Sequence, residues 1–179
     1  GKVDFMDLYP LTFQEFLCAL GEERFVSILQ SSDTDMVTMF KSKYMDRLRE
    51  YYYVGGMPEV VQRFLDTQGD LASVRQLQSE LNEQYRRDIS KYASGRALQV
   101  QSIYDQLPIM LEGENKRFVL NSIDPKAHYE KYQRDFVWLV DAGVALKADI
   151  VTEPKSPLLK TARPSPVSYT HLTLPTKLE

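Results

Sequence analysis

Residues 51–61 constrain the fold more than any other stretch, because they hold a helix stop and a helix start within a few positions. Three consecutive tyrosines end one helical pattern, and the pair Gly55 and Gly56 interrupts it. A glycine at either position can take φ > 0 after a helix C-terminus. Pro58 suits the first turn of a following helix, since the N–H that proline lacks would be unpaired there. The stretch therefore predicts a corner between two helices with an aromatic anchor.

Composition places the chain among globular proteins. Its 179 residues are 43% hydrophobic and 11% aromatic, which suits one ordinary domain or two small ones and argues against global disorder. The net charge of −3 argues against a dominant electrostatic grip on nucleic acid or anionic lipid. No stretch approaches the roughly 20 apolar residues of a membrane span, and the first residues lack a signal-peptide pattern. The single cysteine, Cys18, cannot form an internal disulfide, so we expect a reduced, cytoplasmic location.

The first residues predict a strand followed by a helix. Residues 3–8 alternate apolar and polar side chains, and Pro10 ends the pattern. Thr12 with Glu15 three residues later predicts a capping box. The helix that this box opens places its apolar residues on one face before Gly21: Phe13, Phe16, Leu17 and Leu20. Because the chain opens on glycine rather than methionine, we expect that its true start is missing.

Helical periodicity dominates the next part of the chain. A short helix is predicted over residues 22–29, and another from Thr34 to the glycine pair. The second of these should bury Val37, Phe40, Tyr44, Leu48, Tyr51 and Tyr52 on one face. From Pro58 a further helix should bury Val60, Val61, Phe64 and Leu65.

The longest periodic run covers residues 71–92 and predicts a surface helix of about six turns. Its buried stripe should consist of Leu71, Val74, Leu77, Leu81, Tyr85, Ile89 and Tyr92. The other faces should carry Arg75, Gln78, Glu80, Glu83, Arg86 and Arg87. Ser94 and Gly95 should close the helix.

The second half predicts two helices and a β-ribbon. One helix covers residues 98–111, and the other opens at Asp124-Pro125 and runs to about Ala142. The side of this second helix that faces the core should consist of Tyr132, Phe136, Leu139 and Val140. Residues 144–146 and 149–151 predict two short strands around Lys147. Two helices followed by a two-stranded ribbon is the order of elements in a winged-helix domain, so the second half of the chain fits that fold.

Four segments, in order, resemble prokaryotic AAA-type ATPases that carry a C-terminal domain of unknown function (the 4143 type). The segments are residues 3–16, 55–61, 85–92 and 132–143. The resemblance implies a mainly α chain with the tail of an α/β ATPase core, a helical lid and a winged-helix-like domain with a short β-ribbon. These parts would cover residues 1–20, 21–69 and 70–160. The parent protein would bind ATP with Mg²⁺, and its catalytic machinery would precede residue 1.

The tail, residues 161–179, differs in character. Residues 167–176 resemble one reading frame of the adapter used in transposon-based sequencing libraries. We therefore expect a disordered, artefactual tail and a natural gene that continues differently past residue 166. The alternative is an ordinary β-prone tail.

Catalytic motifs are missing from the sequence. There is no G-x-x-x-x-G-K-[S/T] loop to hold phosphates, and no acidic strand end to hold Mg²⁺. The sequence supports a metal site poorly, because its cysteine and histidine residues are few: Cys18, His128 and His171. Asp124 and Asp141 are better interpreted as a helix cap and a solvated helix end than as an acid–base pair. We expect no autonomous catalysis, although the parent would be an ATPase by resemblance.

Gly56 and Pro58 are the candidate nucleotide-binding residues. The resemblance implies that Gly56-Met57-Pro58 corresponds to a Gly-x-Pro element that lies against adenine in related ATPases. A flat apolar ring can stack on a base, and glycine permits close backbone approach. Arg63 could reach a phosphate, but no spacing argument fixes it. A plain helix corner is an equally weighted interpretation.

Two further functions remain open. In a DNA-binding winged helix the second helix would present Lys126, Lys131 and Arg134, with Lys116, Arg117 and Lys147 nearby. Glu130 and Asp135 on the same helix favour a charge-mixed, solvated face instead. In a protein-interaction role, apolar surface and an unpaired strand edge would pack on the missing ATPase core or on a partner. The chain alone is then expected to associate.

Overall fold

The chain is mainly helical in a computed structural model that describes residues 4, 8–93, 95–112, 118, 120–123, 129–151 and 162–171. Its α-helices are α1 (Phe13–Ala19), α2 (Glu23–Ser31), α3 (Thr34–Met39), α4 (Lys41–Val54), α5 (Pro58–Asp66), α6 (Leu71–Tyr92), α7 (Ala97–Glu112) and α8 (Tyr129–Asp141). A 3₁₀ turn covers Leu120–Ser122, and the two strands are β1 (Ala145–Val151) and β2 (Ala162–His171).

The described residues form two compact units, and the boundary falls within α6. The first unit contains the residues up to Leu81, and the second those from Asn82 onward. The domain boundaries implied by the resemblance, at residues 20, 69 and 160, stay predictions.

The start of α1 confirms the predicted capping box. The Thr12 backbone N–H donates to Glu15 Oε2 at 2.7 Å, and Thr12 Oγ1 accepts from the Glu15 backbone N–H at 3.3 Å. The hydrogen bond from the Thr12 backbone, with one from its hydroxyl, lowers the pKa of Glu15. Each bond satisfies a donor that a helix N-terminus would leave unpaired. The helix so fixed buries Phe16 and Leu17.

The long helix predicted from Thr34 to the glycine pair is wrong in one respect, since it is divided at Phe40 into α3 and α4. Asp33 caps α3, and its Oδ1 accepts from the Asp35 and Met36 backbone N–H groups. Tyr44 is buried as predicted, whereas Tyr52 is 66% exposed. Adjacent helical residues point about 100° apart, so Tyr51 and Tyr52 cannot both face one narrow apolar surface.

The core of the first unit lies between α1, the end of α4, α5 and the start of α6. It consists of Phe16, Val54, Val60, Val61, Phe64, Val74, Leu77 and Leu81. A smaller group around Leu17, Val26 and Tyr44 packs the first helices together. The core confirms the predicted burial of Val60, Val61 and Phe64, and Leu65 packs beside it half-buried.

The bounds predicted for α6 are confirmed, but three of its side chains were predicted on the wrong side, among them Leu71, which was expected in the buried stripe and is exposed. Gln78, expected on an outer face, is buried, and its Nε2 donates to the carbonyls of Tyr53 and Val54 at 2.9 and 3.1 Å. Those carbonyls belong to the last turn of α4 and have no partner within that helix. Tyr92, expected in the buried stripe, is exposed.

The second unit packs α7 and α8 around the C-terminal half of α6. Its core consists of Ile89, Ala93, Val100, Ile103, Tyr104, Leu107, Phe118, Tyr132, Phe136, Leu139, Val144 and Ala145. The Tyr104 hydroxyl donates to Asn82 Oδ1, and burial raises the pKa of this phenol. Trp138 is half-buried against the same core.

The predicted pair of short strands around Lys147 is wrong, because residues 145–151 form one continuous strand. Strand β1 pairs antiparallel with β2, from Ala145 opposite His171 to Val151 opposite Ala162, with an irregularity between Ala148 and Ile150. Strand β2 lies within the range expected to be disordered. The adapter origin of that tail stays a prediction. The helix start predicted at Asp124-Pro125 lies outside the described residues, and of the strand predicted over residues 3–8 the structure describes only Asp4 and Leu8.

Glu22 joins α4 to the turn between α1 and α2. Its carboxylate accepts from Arg47 Nε and Nη2 at 3.0 and 2.7 Å, and Lys43 Nζ lies 3.0 Å from the same carboxylate. Arg47 Nη1 also donates to Glu50 at 2.6 Å. Burial alone would raise the pKa of Glu22, but the hydrogen bonds from Arg47 and Lys43 outweigh it and lower the pKa.

Glu22→Gln is predicted to remove a pH-dependent part of the stability. Because the folded pKa lies below the unfolded value of about 4.3, the stabilisation is full above that value and is lost as the pH falls through the folded pKa. The thermal midpoint, followed by circular dichroism, should differ between wild type and Glu22→Gln at pH 7. The difference should shrink below about pH 4.

Glu23→Gln, at the exposed neighbouring position, is the control and should lower the midpoint less at pH 7. If the thermal midpoints of wild type and Glu22→Gln differed equally at pH 7 and below pH 4, the Glu22 carboxylate would not be the source of the pH-dependent stability.

Candidate functional site: the corner at Gly55–Pro58

The predicted corner between helices is confirmed. Helix α4 ends at Val54, and Gly55 follows with φ +78° while its N–H donates to the Tyr51 carbonyl at 2.7 Å. Pro58 is the first residue of α5. The two helices are thus separated by three residues, and glycine supplies the backbone conformation that this change of direction needs.

Gly56 lies directly against the backbone that precedes α1. The Leu11 N–H donates to the Gly56 carbonyl at 2.7 Å. A Cβ at position 56 would overlap the Leu11 carbonyl oxygen and would lie 3.0 Å from both the Leu11 nitrogen and Pro10 Cβ. The absence of a side chain at Gly56 is therefore required by close approach within this chain.

Tyr51 holds the other polar group of Leu11. The Tyr51 hydroxyl donates to the Leu11 carbonyl at 2.7 Å. Its ring centroid lies 5.7 and 5.4 Å from those of Phe13 and Phe16. Burial, together with the charge of Glu15, raises the pKa of Tyr51, so its hydroxyl stays protonated as a donor near neutral pH. Both backbone polar groups of Leu11 are thus bonded to the corner.

The structure brings Gly56 and Pro58 together at one corner but exposes them differently. Gly56 is buried, Met57 is half-buried against the core, and Pro58 is exposed. Arg63 is also exposed, five residues farther along α5. A ligand at this corner would meet the proline ring, whereas Gly56 is covered by Leu11.

The candidate nucleic-acid residues are only partly described. Lys131 and Arg134 are exposed on α8, and Lys131 Nζ lies 5.7 Å from the Tyr132 ring centroid. Lys126, Lys116, Arg117 and His128 lie outside the described residues, and of Lys147 the backbone alone is described.

Asp135 was predicted on the solvated face of α8, and this is wrong: its side chain is 2% exposed. Arg96 donates to it from Nε at 2.7 Å and from Nη2 at 2.5 Å. Arg96 Nη2 also donates to the Lys131 carbonyl at 3.0 Å. A buried carboxylate needs such a partner, and the two-pronged guanidinium supplies it. The hydrogen bonds that Arg96 donates to Asp135 raise the pKa of Arg96.

Metal and membrane sites find no support in the part of the chain that the structure covers. Across the described ranges, no group of three or more His, Cys, Asp or Glu side chains could hold a metal ion. Cys18 is exposed and unpaired with another cysteine, and Asp141 is exposed at the end of α8. Among the same residues, no helix combines the length and the apolar character needed to cross a bilayer.

The structure thus defines a mainly helical protein with a tightly bonded interhelical corner. The family described as "Domain of unknown function (DUF8612)" matches residues 45–169, and the chain belongs to this family. The match includes Gly56, Pro58 and α8, and it ends inside the predicted tail. Comparison with curated proteins and with solved structures found no match.

Gly56→Ala is predicted to destabilise the first unit by about 1–3 kcal/mol, because the new methyl group would overlap backbone atoms that cannot move independently. The change should also weaken the bond between Leu11 and the Gly56 carbonyl. Hydrogen exchange of the Leu11 amide, measured by NMR, should accelerate along with the loss of thermal stability.

Gly21→Ala is the control for a glycine change that destabilises the first unit without a clash. Gly21 has φ +72°, which alanine adopts at a cost, but no atom lies within 4 Å of the place that an added methyl group would take. If Gly21→Ala accelerated Leu11 exchange as much as Gly56→Ala, the close contact would not be the cause.

Proposed function

We propose that this chain is the non-catalytic lid and winged-helix-like portion of an ATP-binding AAA-type ATPase. Residues 1–20 would be the tail of the α/β core, 21–69 the lid and 70–160 the winged-helix-like domain with its short ribbon. The supporting observation is the corner itself, where an exposed proline ring stands on a backbone fixed by Leu11 and Tyr51.

In this proposal the chain contacts the bound nucleotide and helps to position it, and it carries out no chemical step. The core preceding it would supply the phosphate-binding loop and Mg²⁺, and the bound ATP would place its adenine against Pro58. The two hydrogen bonds at Leu11 would carry a movement of the corner into the segment that leads toward the core. Gly56 would act by allowing that contact and not by touching the nucleotide. The core would be the chain's first partner, in the cytoplasm.

Pro58→Ala in the natural full-length protein tests this proposal. Losing part of an apolar contact with adenine should cost about 1 kcal/mol, or about fivefold in ATP affinity. Isothermal titration calorimetry with Mg-ATP would measure the change. Alanine is accepted at the first position of a helix, so the fold should be retained.

Gln62→Ala, an exposed position one turn farther along α5, is the matched control and should leave ATP affinity unchanged. An affinity for Mg-ATP that is the same in Pro58→Ala as in wild type would remove the proposal.

DNA binding through α8 is the second candidate, and the burial of Asp135 favours it. With that carboxylate paired to Arg96, the exposed side of α8 retains Lys131 and Arg134 with fewer opposing charges than its sequence suggests. Phosphate contacts by these cations, together with Lys126, would fit the second helix of a winged helix. The net charge of −3 still favours the lid assignment.

A filter-binding salt titration separates the two candidates. If Lys131 and Arg134 contact phosphates, their joint change to glutamine should reduce the slope of log affinity against log salt by about 2. The control changes Arg24 and Arg63, two exposed cations of the first unit, to glutamine. This double variant has the same net charge as the first one and should leave the slope unaltered. A weak and salt-independent response of the wild type would exclude phosphate contacts.

A further inference from the structure

An open groove of about 460 Å³ lies in the second unit between α6 and α7. Its lining residues are Glu83, Arg86, Arg87, Ser90, Lys91 and Gln101. We infer that this groove binds the phosphate group of a small anionic ligand. The site is separate from the corner at Gly55–Pro58, so neither assignment depends on the other.

Arg86 forms the fixed part of the groove wall. Its Nε and Nη2 donate to Asp105 Oδ1 at 3.2 and 3.0 Å, and its Nη1 donates to Glu83 at 2.9 Å. The bond to Asp105, with the one to Glu83, raises the pKa of Arg86. These contacts pair Glu83, which lines the groove, and Asp105 with Arg86 and not with the other cations of the groove.

Arg87 and Lys91 are the cations left for a ligand. Both are exposed, and within the described part of the chain no carboxylate lies at ion-pair distance from either. Lys91 Nζ lies 4.8 Å from the Tyr92 ring centroid. The two residues are four apart on α6, a spacing at which like charges are neighbours and destabilise a helix. An anion held between them would remove that repulsion.

Polar donors complete the set from both helices. Ser90, between the two cations in sequence, donates its hydroxyl to the Arg86 carbonyl at 3.0 Å and can rotate toward a ligand. Gln101 on α7 is half-buried and makes no side-chain hydrogen bond to another described residue. A guanidinium, an ammonium, a hydroxyl and an amide form the donor set that tetrahedral oxyanions take.

The charges around the groove favour a small ligand over a nucleic acid strand. Glu83 lines the groove and Asp105 stands behind Arg86, so a polyanion running along either helix would meet negative charge. A single phosphate held by Arg87 and Lys91 need not extend along either helix as a strand would. Free phosphate and the phosphate of a monoester share this chemistry.

The test is a titration of the whole chain with inorganic phosphate at pH 7, at constant ionic strength set with chloride, followed by ¹H–¹⁵N NMR. The expected result is saturable shifts of Arg87 Nε–H, the Gln101 side-chain amide and the Ser90 and Lys91 backbone amides. Arg87→Gln and Lys91→Gln should each weaken binding about five- to tenfold, since each removes a charge-assisted hydrogen bond. Lys91→Arg should retain binding. A phosphomonoester such as glycerol phosphate, titrated in parallel, shows which form of phosphate binds more tightly.

Arg63→Gln, an exposed cation of the first unit, is the charge-matched control and should leave the groove shifts intact. If Arg63→Gln weakened phosphate binding as much as Arg87→Gln, the net charge of the chain would explain the effect and the inference would be overturned. Shifts that do not saturate would also overturn it. So would groove shifts produced by a single-stranded oligonucleotide but not by either phosphate compound.

Discussion

The contact between Leu11 and Gly56 is the constraint on which the first unit depends. The backbones approach so closely that a single methyl group would overlap the Leu11 carbonyl oxygen. Leu11 immediately precedes the Thr12 cap, so fixing its N–H and carbonyl also fixes where α1 begins. That start in turn directs Phe16 and Leu17 into the core. The turn glycine, the helix cap and the aromatic anchor therefore act as one arrangement.

The second unit depends on a different kind of interaction. Asp135 places a carboxyl group inside a helical interface, and such a group is tolerated when a matched cation satisfies its oxygens. Arg96 does so from the turn between α6 and α7, and its additional bond to the Lys131 carbonyl fixes α8 through backbone as well as side chain. Removing Arg96 would leave the buried Asp135 carboxylate without compensation, whereas Arg96 is partly exposed and would keep its bond to the Lys131 carbonyl. The pair thus connects α8 to the turn before α7 through one side chain and one backbone carbonyl.

Elements governed by local chemistry could be predicted from the sequence. The bounds of α6 follow from a long apolar period, and the start of α1 follows from the side chains of Thr12 and Glu15. The corner follows from the conformational freedom of glycine and the missing N–H of Pro58. In the candidate site, the corner and its two glycines were thus predictable. The reason Gly56 must be glycine was not, because Leu11 lies far away in sequence.

Two of the errors come from polar residues whose partners lie elsewhere in the chain. Gln78 and Asp135 were placed outside because amides and carboxylates usually face water. Asp135 nevertheless lies in register with Tyr132, Phe136 and Leu139, so helical periodicity contained the correct signal and polarity obscured it. For Gln78 no sequence signal identified the Tyr53 and Val54 carbonyls as acceptors. The groove was missed for a similar reason, since the pairing of Arg86 with Asp105 joins residues of two helices.

The positions of the one cysteine and the one tryptophan have a practical consequence. Cys18 is an exposed thiol in the first unit, and Trp138 is a half-buried indole in the second. The native chain thus carries one fluorescent donor and one attachment point for an acceptor dye, in different units, without any substitution. Energy transfer between them would report on inter-unit distance in solution, and its change on adding a ligand would reveal whether that ligand rearranges the molecule.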